Sequence, residues 1–204
     1  MTHTLSSPLA GLAPLSPENA PDASHDNLAA AQKRLGFVPN LLGVFAHVPA
    51  LLEGYTADDA AFSRTSFKPS ERQLILLAVS VVNECDYCVA AHSTIAKSML
   101  KVDADTVAAI RAGTPLPDAR QNALINLVRE LVEARGHAST ATIQAFLDAG
   151  YRREQVFKII LGIVQQTSAT ISTIWSRCLS TQFSKSRRPD SHPHLSTISP
   201  FLLP

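Results

Sequence analysis

Cys85, Cys88 and His92 stand at i, i+3 and i+7 within the run Cys85-Asp86-Tyr87-Cys88-Val89-Ala90-Ala91-His92. On a helix these three share one face, and Cys88 and His92 are neighbours one turn apart. Cys85 falls where that helix would begin, where free backbone N–H groups and the helix dipole favour an anion. Both effects lower a thiol pKa, and the thiolate is the reactive form of cysteine. His92 can accept a thiol proton or pair with the thiolate. The two sulfurs can also close a disulfide with each other. A nucleophile, a resolving thiol and a base are therefore available within two helical turns, and the segment reads as a redox-active dithiol.

Other readings of the same residues compete. Two cysteines in an Ala-rich helix can be inert core residues. Structural zinc wants four ligands, and only Cys178 or a distant histidine is left to complete a set. Haem attachment needs a histidine directly after the second cysteine, and Val89 occupies that place. His47 and His137 fall in turns, and His192 and His194 in the C-terminal tail. Cys178 reads as a small buried hydrophobe or a spare thiol. No metal and no cofactor is expected.

The elements that must position the dithiol read as helices. Gln73–Val82 is strongly apolar, and its length and the Ser-Glu-Arg before it favour a buried helix, with Ser70 as its cap. The dithiol helix follows over about Asp86–Leu100. Upstream, Asn27–Leu35 reads as a helix ended by Gly36, Leu41–Ala46 as a short one, and Pro49 as the first residue of a third. Asp103 caps a short helix ended by Gly113. Apolar residues recur at helical spacing from Asp118 to Ala134, with Gly136 as the stop. Ser139 or Thr140 starts the next helix, and Arg153 begins a last one through Ile163. The Ser/Thr/Ile-rich run Thr167–Thr173 is poor helix material. No stretch alternates like a half-buried strand. The expectation is an all-α fold of about nine helices. An extended Pro-rich arm covers residues 1–25, a helical domain 26–180 and an irregular tail 181–204.

Composition bounds the partners. The 204 residues carry a formal net charge of +1, which gives no electrostatic case for nucleic acid or an anionic membrane. Lys185-Ser186-Arg187-Arg188 is the largest basic cluster, and it lies in the tail. No apolar run reaches the ~20 residues of a membrane helix. Met1-Thr2-His3-Thr4-Leu5 shows no export signal, and three cysteines do not make a disulfide framework. A cytoplasmic setting is expected.

The stretch Glu71-Arg72-Gln73-Leu74-Ile75-Leu76-Leu77-Ala78-Val79-Ser80-Val81-Val82-Asn83-Glu84, continuing through the dithiol to His92-Ser93, resembles the core of the carboxymuconolactone decarboxylase superfamily. It is most similar to the AhpD-like, peroxidase-related branch. Leu35–Leu42, Ala112–Asp118 and Ala149-Gly150-Tyr151 share that likeness. The resemblance implies an all-helical, usually homo-oligomeric protein that reduces hydroperoxides without a bound cofactor. It implies Cys88 as the peroxide-attacking cysteine, Cys85 as the resolving one and His92 as part of a proton relay. An external dithiol would then reduce the Cys85–Cys88 disulfide.

The chain departs from that pattern at named positions. Relatives have a relay Glu twelve residues before the first Cys, where Gln73 stands here and cannot carry a proton as a carboxylate does. Glu71 is two residues earlier, on another side of the helix. Tyr87 replaces a His before the second Cys. Glu84 replaces a common Gly, and its charge would oppose a nearby thiolate. Ser168–Trp175 stands where relatives continue with an Asn-Tyr-x-Asn-His-like stretch. One codon choice for Ser168–Trp175, TCA GCA ACT ATC TCA ACC ATC TGG, gives Ser-Asn-Tyr-Leu-Asn-His-Leu when read two bases later. A frameshift near Gln165 would produce such a change, and unrelated codons in the gene would rule it out.

The function expected first is a thiol peroxidase acting on alkyl hydroperoxides. The alternatives are a slow redox-sensing or thiol-exchange module, which Gln73 favours, and a carboxymuconolactone decarboxylase-like lyase. A lyase would need a pocket for an anionic lactone, and no convergent Arg cluster is evident.

Overall fold

The computed structural model describes residues 12–176. The expectations for Cys178, His192, His194, the basic cluster and the tail fall outside these residues, as does the start of the N-terminal arm. Among the described residues there are nine α-helices and no strand: α1 (Asp22–Leu35), α2 (Asn40–Phe45), α3 (Pro49–Ser63), α4 (Pro69–Val82), α5 (Asp86–Thr94), α6 (Ala104–Ala112), α7 (Ala119–Glu133), α8 (Thr140–Asp148) and α9 (Arg153–Ser176). A π-helical turn, Ile95–Met99, follows α5. The all-α expectation holds. The chain divides into two compact units, one of residues up to Ala57 together with those from Ile171 onward, the other Asp58–Thr170.

In the first unit, Leu28, Ala31, Leu42, Phe45, Ala46 and Leu52 form a small core. Phe45 meets Tyr55 edge-on, with ring centroids 5.1 Å apart. Gly43 is required here: a Cβ on it would lie 2.6 Å from the Leu15 carbonyl oxygen. α1 begins at Asp22 rather than at the predicted Asn27, because Pro21 precedes a first turn carrying Asp22, a favourable charge at a helix N-terminus.

The second unit is built around α4. Leu74, Ile75, Leu77, Ala78 and Val79 are fully buried and pack with Val107 and Ile110 of α6, Leu124, Ile125, Leu127 and Val128 of α7, and Phe146 of α8. Burial on nearly every side explains why the segment lacks amphipathic periodicity. Each fully buried Leu or Ile contributes roughly 1.5–3 kcal/mol. The cap of α4 is Lys68 rather than the predicted Ser70. Pro69 takes the first helical position, where its missing N–H costs nothing, and the Lys68 N–H donates to Glu71 Oε2 at 2.9 Å.

The end of α4 sets the start of α5. Cys85 N–H donates to the Ser80 carbonyl and Glu84 N–H to that of Val81, both at 3.0 Å, a Schellman closure. Glu84 carries its left-handed residue, with φ 54°. This is a position glycine occupies without strain, and an L-residue there costs ~1 kcal/mol. The closure delivers Cys85 directly to the N-cap of α5.

α9 corrects a second expectation. The Ser/Thr/Ile-rich run does not weaken the helix, which continues to Ser176. Gln165, Gln166, Ala169, Thr170 and Thr173 are all buried, at helical spacing, so packing outweighs propensity. Gly162 lets α9 approach closely: a Cβ there would lie 2.8 Å from Phe62 Cζ and 2.9 Å from Ile75 Cγ2.

Candidate active site

Cys85 is the N-cap of α5, and its Sγ accepts the Cys88 backbone N–H at 3.3 Å. The sulfur therefore sits among the free amides of the first turn, where a thiolate would be stabilised. Cys85 and Cys88 are both buried, and they are joined as a disulfide with Cα atoms 5.3 Å apart. Asp86 and Glu84 are both exposed, so their charges are screened by water.

His92, one turn beyond Cys88, is held from both sides. Gln73 Nε2 of α4 donates to His92 Nδ1. His92 Nε2 donates to Gln166 Oε1 of α9 at 2.7 Å. The two amides fix the neutral tautomer with its proton on Nε2. Burial pushes the His92 pKa down to about 4, against smaller upward effects from Gln166 and the charge of Asp59. At neutral pH the ring is uncharged.

A second contact binds the same pair of helices. Cys88 Sγ lies 3.8 Å from Thr170 Oγ1. A disulfide sulfur has no proton, so the hydroxyl donates. Gln166 and Thr170 are one turn apart on α9, as Cys88 and His92 are on α5. The pairings Gln166–His92 and Thr170–Cys88 make a two-rung seam. A hydroxyl placed to donate to a disulfide sulfur can also donate to a thiolate once the bond is reduced.

The other expected residues lie at different places. Tyr87 is half-buried, and burial pushes its phenol pKa up to about 12, so it remains a neutral hydroxyl. Glu71 is buried away from the seam. Its Oε1 accepts the Tyr151 O–H at 2.8 Å, and Arg120 Nη2 lies 3.7 Å from the same oxygen. It cannot also face His92, so it is no substitute for the relay Glu. Gln166 and Thr170 carry no motif. Their only trace in the sequence is the continuation of α9's inner face past Ile159 and Gly162 at helical spacing. Among the described residues, no group of three or more His, Cys, Asp or Glu is placed to hold a metal ion. No helix of those residues is long and apolar enough to cross a membrane.

Residues 47–130 match the carboxymuconolactone decarboxylase family. No curated protein sequence matches the chain. Among solved structures, a peroxidase-related protein with an alkylhydroperoxidase AhpD core from Ralstonia eutropha JMP134 superposes with a TM-score of 0.69 at 22% identity, covering 80% of this chain and 89% of that one. A peroxidase-related protein from Silicibacter sp. TM1040 gives 0.63 at 22% identity, covering 83% and 86%. The debrominase Bmp8, as a cysteine-to-alanine variant in complex with 2,3,4-tribromopyrrole, gives 0.67 at 16% identity, covering 82% and 90%. At these identities the likeness is one of fold. The family match spans α4, the dithiol and most of α7, and the described residues have the AhpD-like fold.

Proposed function

We propose that the chain is a cofactor-independent thiol peroxidase that reduces alkyl hydroperoxides through Cys88 and Cys85. The observation that carries this reading is the disulfide between an N-cap cysteine and a cysteine one turn before a half-buried, neutral histidine. In the reduced protein the Cys88 thiolate attacks the terminal oxygen of ROOH. An S–O bond forms, the O–O bond breaks, and the alkoxide leaves and is protonated to ROH. Cys85 then condenses with the Cys88 sulfenic acid, releasing water and closing the disulfide. An external dithiol restores both thiols by exchange, which suits a reducing, cytoplasmic setting.

A second reading, a slow thiol-exchange module, is favoured by the pair of glutamines around His92, because neither can take up a proton as a carboxylate can. The Bmp8 likeness adds a brominated aromatic to the substrates worth trying. Self-association is supported by α9, which exposes Phe157, Ile160 and Val164 at spacings of three and four. That apolar stripe would be covered in a homo-oligomer.

Adding one equivalent of cumene hydroperoxide to the reduced protein tests the proposal. The expected result is loss of both thiols, closure of Cys85–Cys88 and release of cumyl alcohol. Thiols that persist alongside intact peroxide would leave the exchange reading in its place.

A further inference from the structure

The amide of Gln166 is only half used. Its Oε1 accepts from His92, whereas its Nε2 is buried and has no hydrogen-bond partner. The side chain is 1% exposed, so water does not satisfy that donor from outside. A buried N–H left unmade is costly, and native proteins rarely keep one without a use. Glutamine carries two donors and one acceptor on its amide, and here the acceptor is committed to the ring. Gln166 stands one turn before Thr170 on α9, and the Thr170 hydroxyl meets Cys88 Sγ.

We propose that Gln166 Nε2 and Thr170 Oγ1 form a donor pair that binds the substrate's oxygens at Cys88, Thr170 toward the sulfur and Gln166 toward the leaving oxygen. The proposal rests on the peroxidase reading and adds to it two residues of α9. As sulfur attacks the terminal oxygen, negative charge moves from sulfur to the departing alkoxide. A fixed neutral donor at that oxygen is worth more in the transition state than in the ground state, and held in a buried seam it needs no reorganisation. Gln166 keeps its proton throughout, and the alkoxide takes one from water. The pair favours an uncharged hydroperoxide, because both donors are neutral and buried and offer no counter-charge to an anionic substrate.

Four full-length variants separate this role from support of His92. Gln166→Glu keeps an acceptor for His92 Nε2 but replaces the donor with oxygen, and because Gln73 still donates to Nδ1 it opens no site for a second ring proton, unlike a carboxylate at position 73. Gln166→Met removes both. Thr170→Val removes the hydroxyl, and Thr170→Ser retains it. The readouts are the second-order rate of thiol loss with cumene hydroperoxide and, separately, with the aromatic disulfide 5,5′-dithiobis(2-nitrobenzoate). The second reagent needs the thiols but presents no alkoxide. Expected is a fall of about tenfold or more in the peroxide rate for Gln166→Glu, Gln166→Met and Thr170→Val, with Thr170→Ser close to wild type. The aromatic-disulfide rate should change less than about threefold in the Gln166 variants. A Gln166→Glu protein as fast as or faster than wild type with peroxide would overturn the proposal and leave Gln166 as a support for His92. Parallel losses with both reagents would also overturn it, assigning the pair a structural role. Wild-type protein that ignores peroxide but exchanges with the aromatic disulfide would defeat the peroxidase reading itself, and the donor pair with it.

Discussion

Glu71 and Gln73 stand two residues apart on α4, both buried and both polar, and they do opposite things. Glu71 is saturated: one oxygen takes the Lys68 amide, the other the Tyr151 hydroxyl, with Arg120 nearby. Arg120 also lies over the Tyr151 ring, 3.9 Å from its centroid, and Tyr151 stacks on Phe146 with centroids 4.5 Å apart. Gln73 instead faces His92, whose other nitrogen meets a second amide. A carboxylate can be buried where donors and a cation surround it. Beside the dithiol two amides hold His92, burial keeps the ring neutral, and one amide donor is left over. The structural node closes on itself, and the redox node is left with bonding capacity to spare.

The comparison is broken most forcefully at its structural end. Glu71→Leu leaves the buried Tyr151 hydroxyl without its acceptor and removes the cap on the Lys68 amide, and should cost about 3 kcal/mol. Denaturant unfolding measures that loss, and the dithiol of the folded protein should still close at the wild-type rate. A loss under about 1 kcal/mol would mean the node is not structural.

The next effect is one of pH. The folded pKa of His92, about 4, lies below its ordinary value of 6.5. The unfolded chain therefore binds the proton more readily than the folded one. Stability is fully present above about pH 6.5 and falls as pH drops toward about 4, by on the order of 2–3 kcal/mol. Urea unfolding at about pH 7 and about pH 4.5 reads the slope, and His92→Phe should flatten it.

Gln73→Glu sharpens the contrast by placing a carboxylate at the redox node. It should raise the His92 pKa and speed oxidation by hydroperoxide by about tenfold at about pH 7, equivalent to about 1.4 kcal/mol of barrier. An unchanged rate, with the His92 pKa shown to have risen by NMR titration, would remove His92 from the proton path. The smallest change is expected outside both nodes. Glu84→Gly relieves the left-handed residue between α4 and α5 and should stabilise the fold by up to about 1 kcal/mol, seen as a higher unfolding midpoint.

Much of this arrangement is legible in the sequence because it is local. Asp103 reads as a cap, Gly113 and Gly136 as stops, and Cys85 as lying at the start of its helix, since caps and turns depend on neighbours a few positions away. Cys88 and His92 are legible for the same reason, through helical spacing. Gln166 and Thr170 are not, because their partners lie 74 and 82 residues away and neither residue type announces chemistry. The poor helix propensity of Thr167–Thr173 conceals them further, and only burial of that face keeps the segment helical. Ser70 reads as a cap by residue type, yet Pro69 and the reach of Glu71 move the cap to Lys68.

The most direct test of the dithiol's role is mass spectrometry of reduced Cys85→Ser after a brief pulse of cumene hydroperoxide, with a sulfenic-acid-selective label present. Removing the resolving thiol should trap a labelled sulfenic acid on Cys88 alone, while wild type passes on to the Cys85–Cys88 disulfide. A Cys88 that stays reduced in Cys85→Ser, or a label found on Cys178 instead, would contradict the assignment of Cys88 as the residue that meets the peroxide.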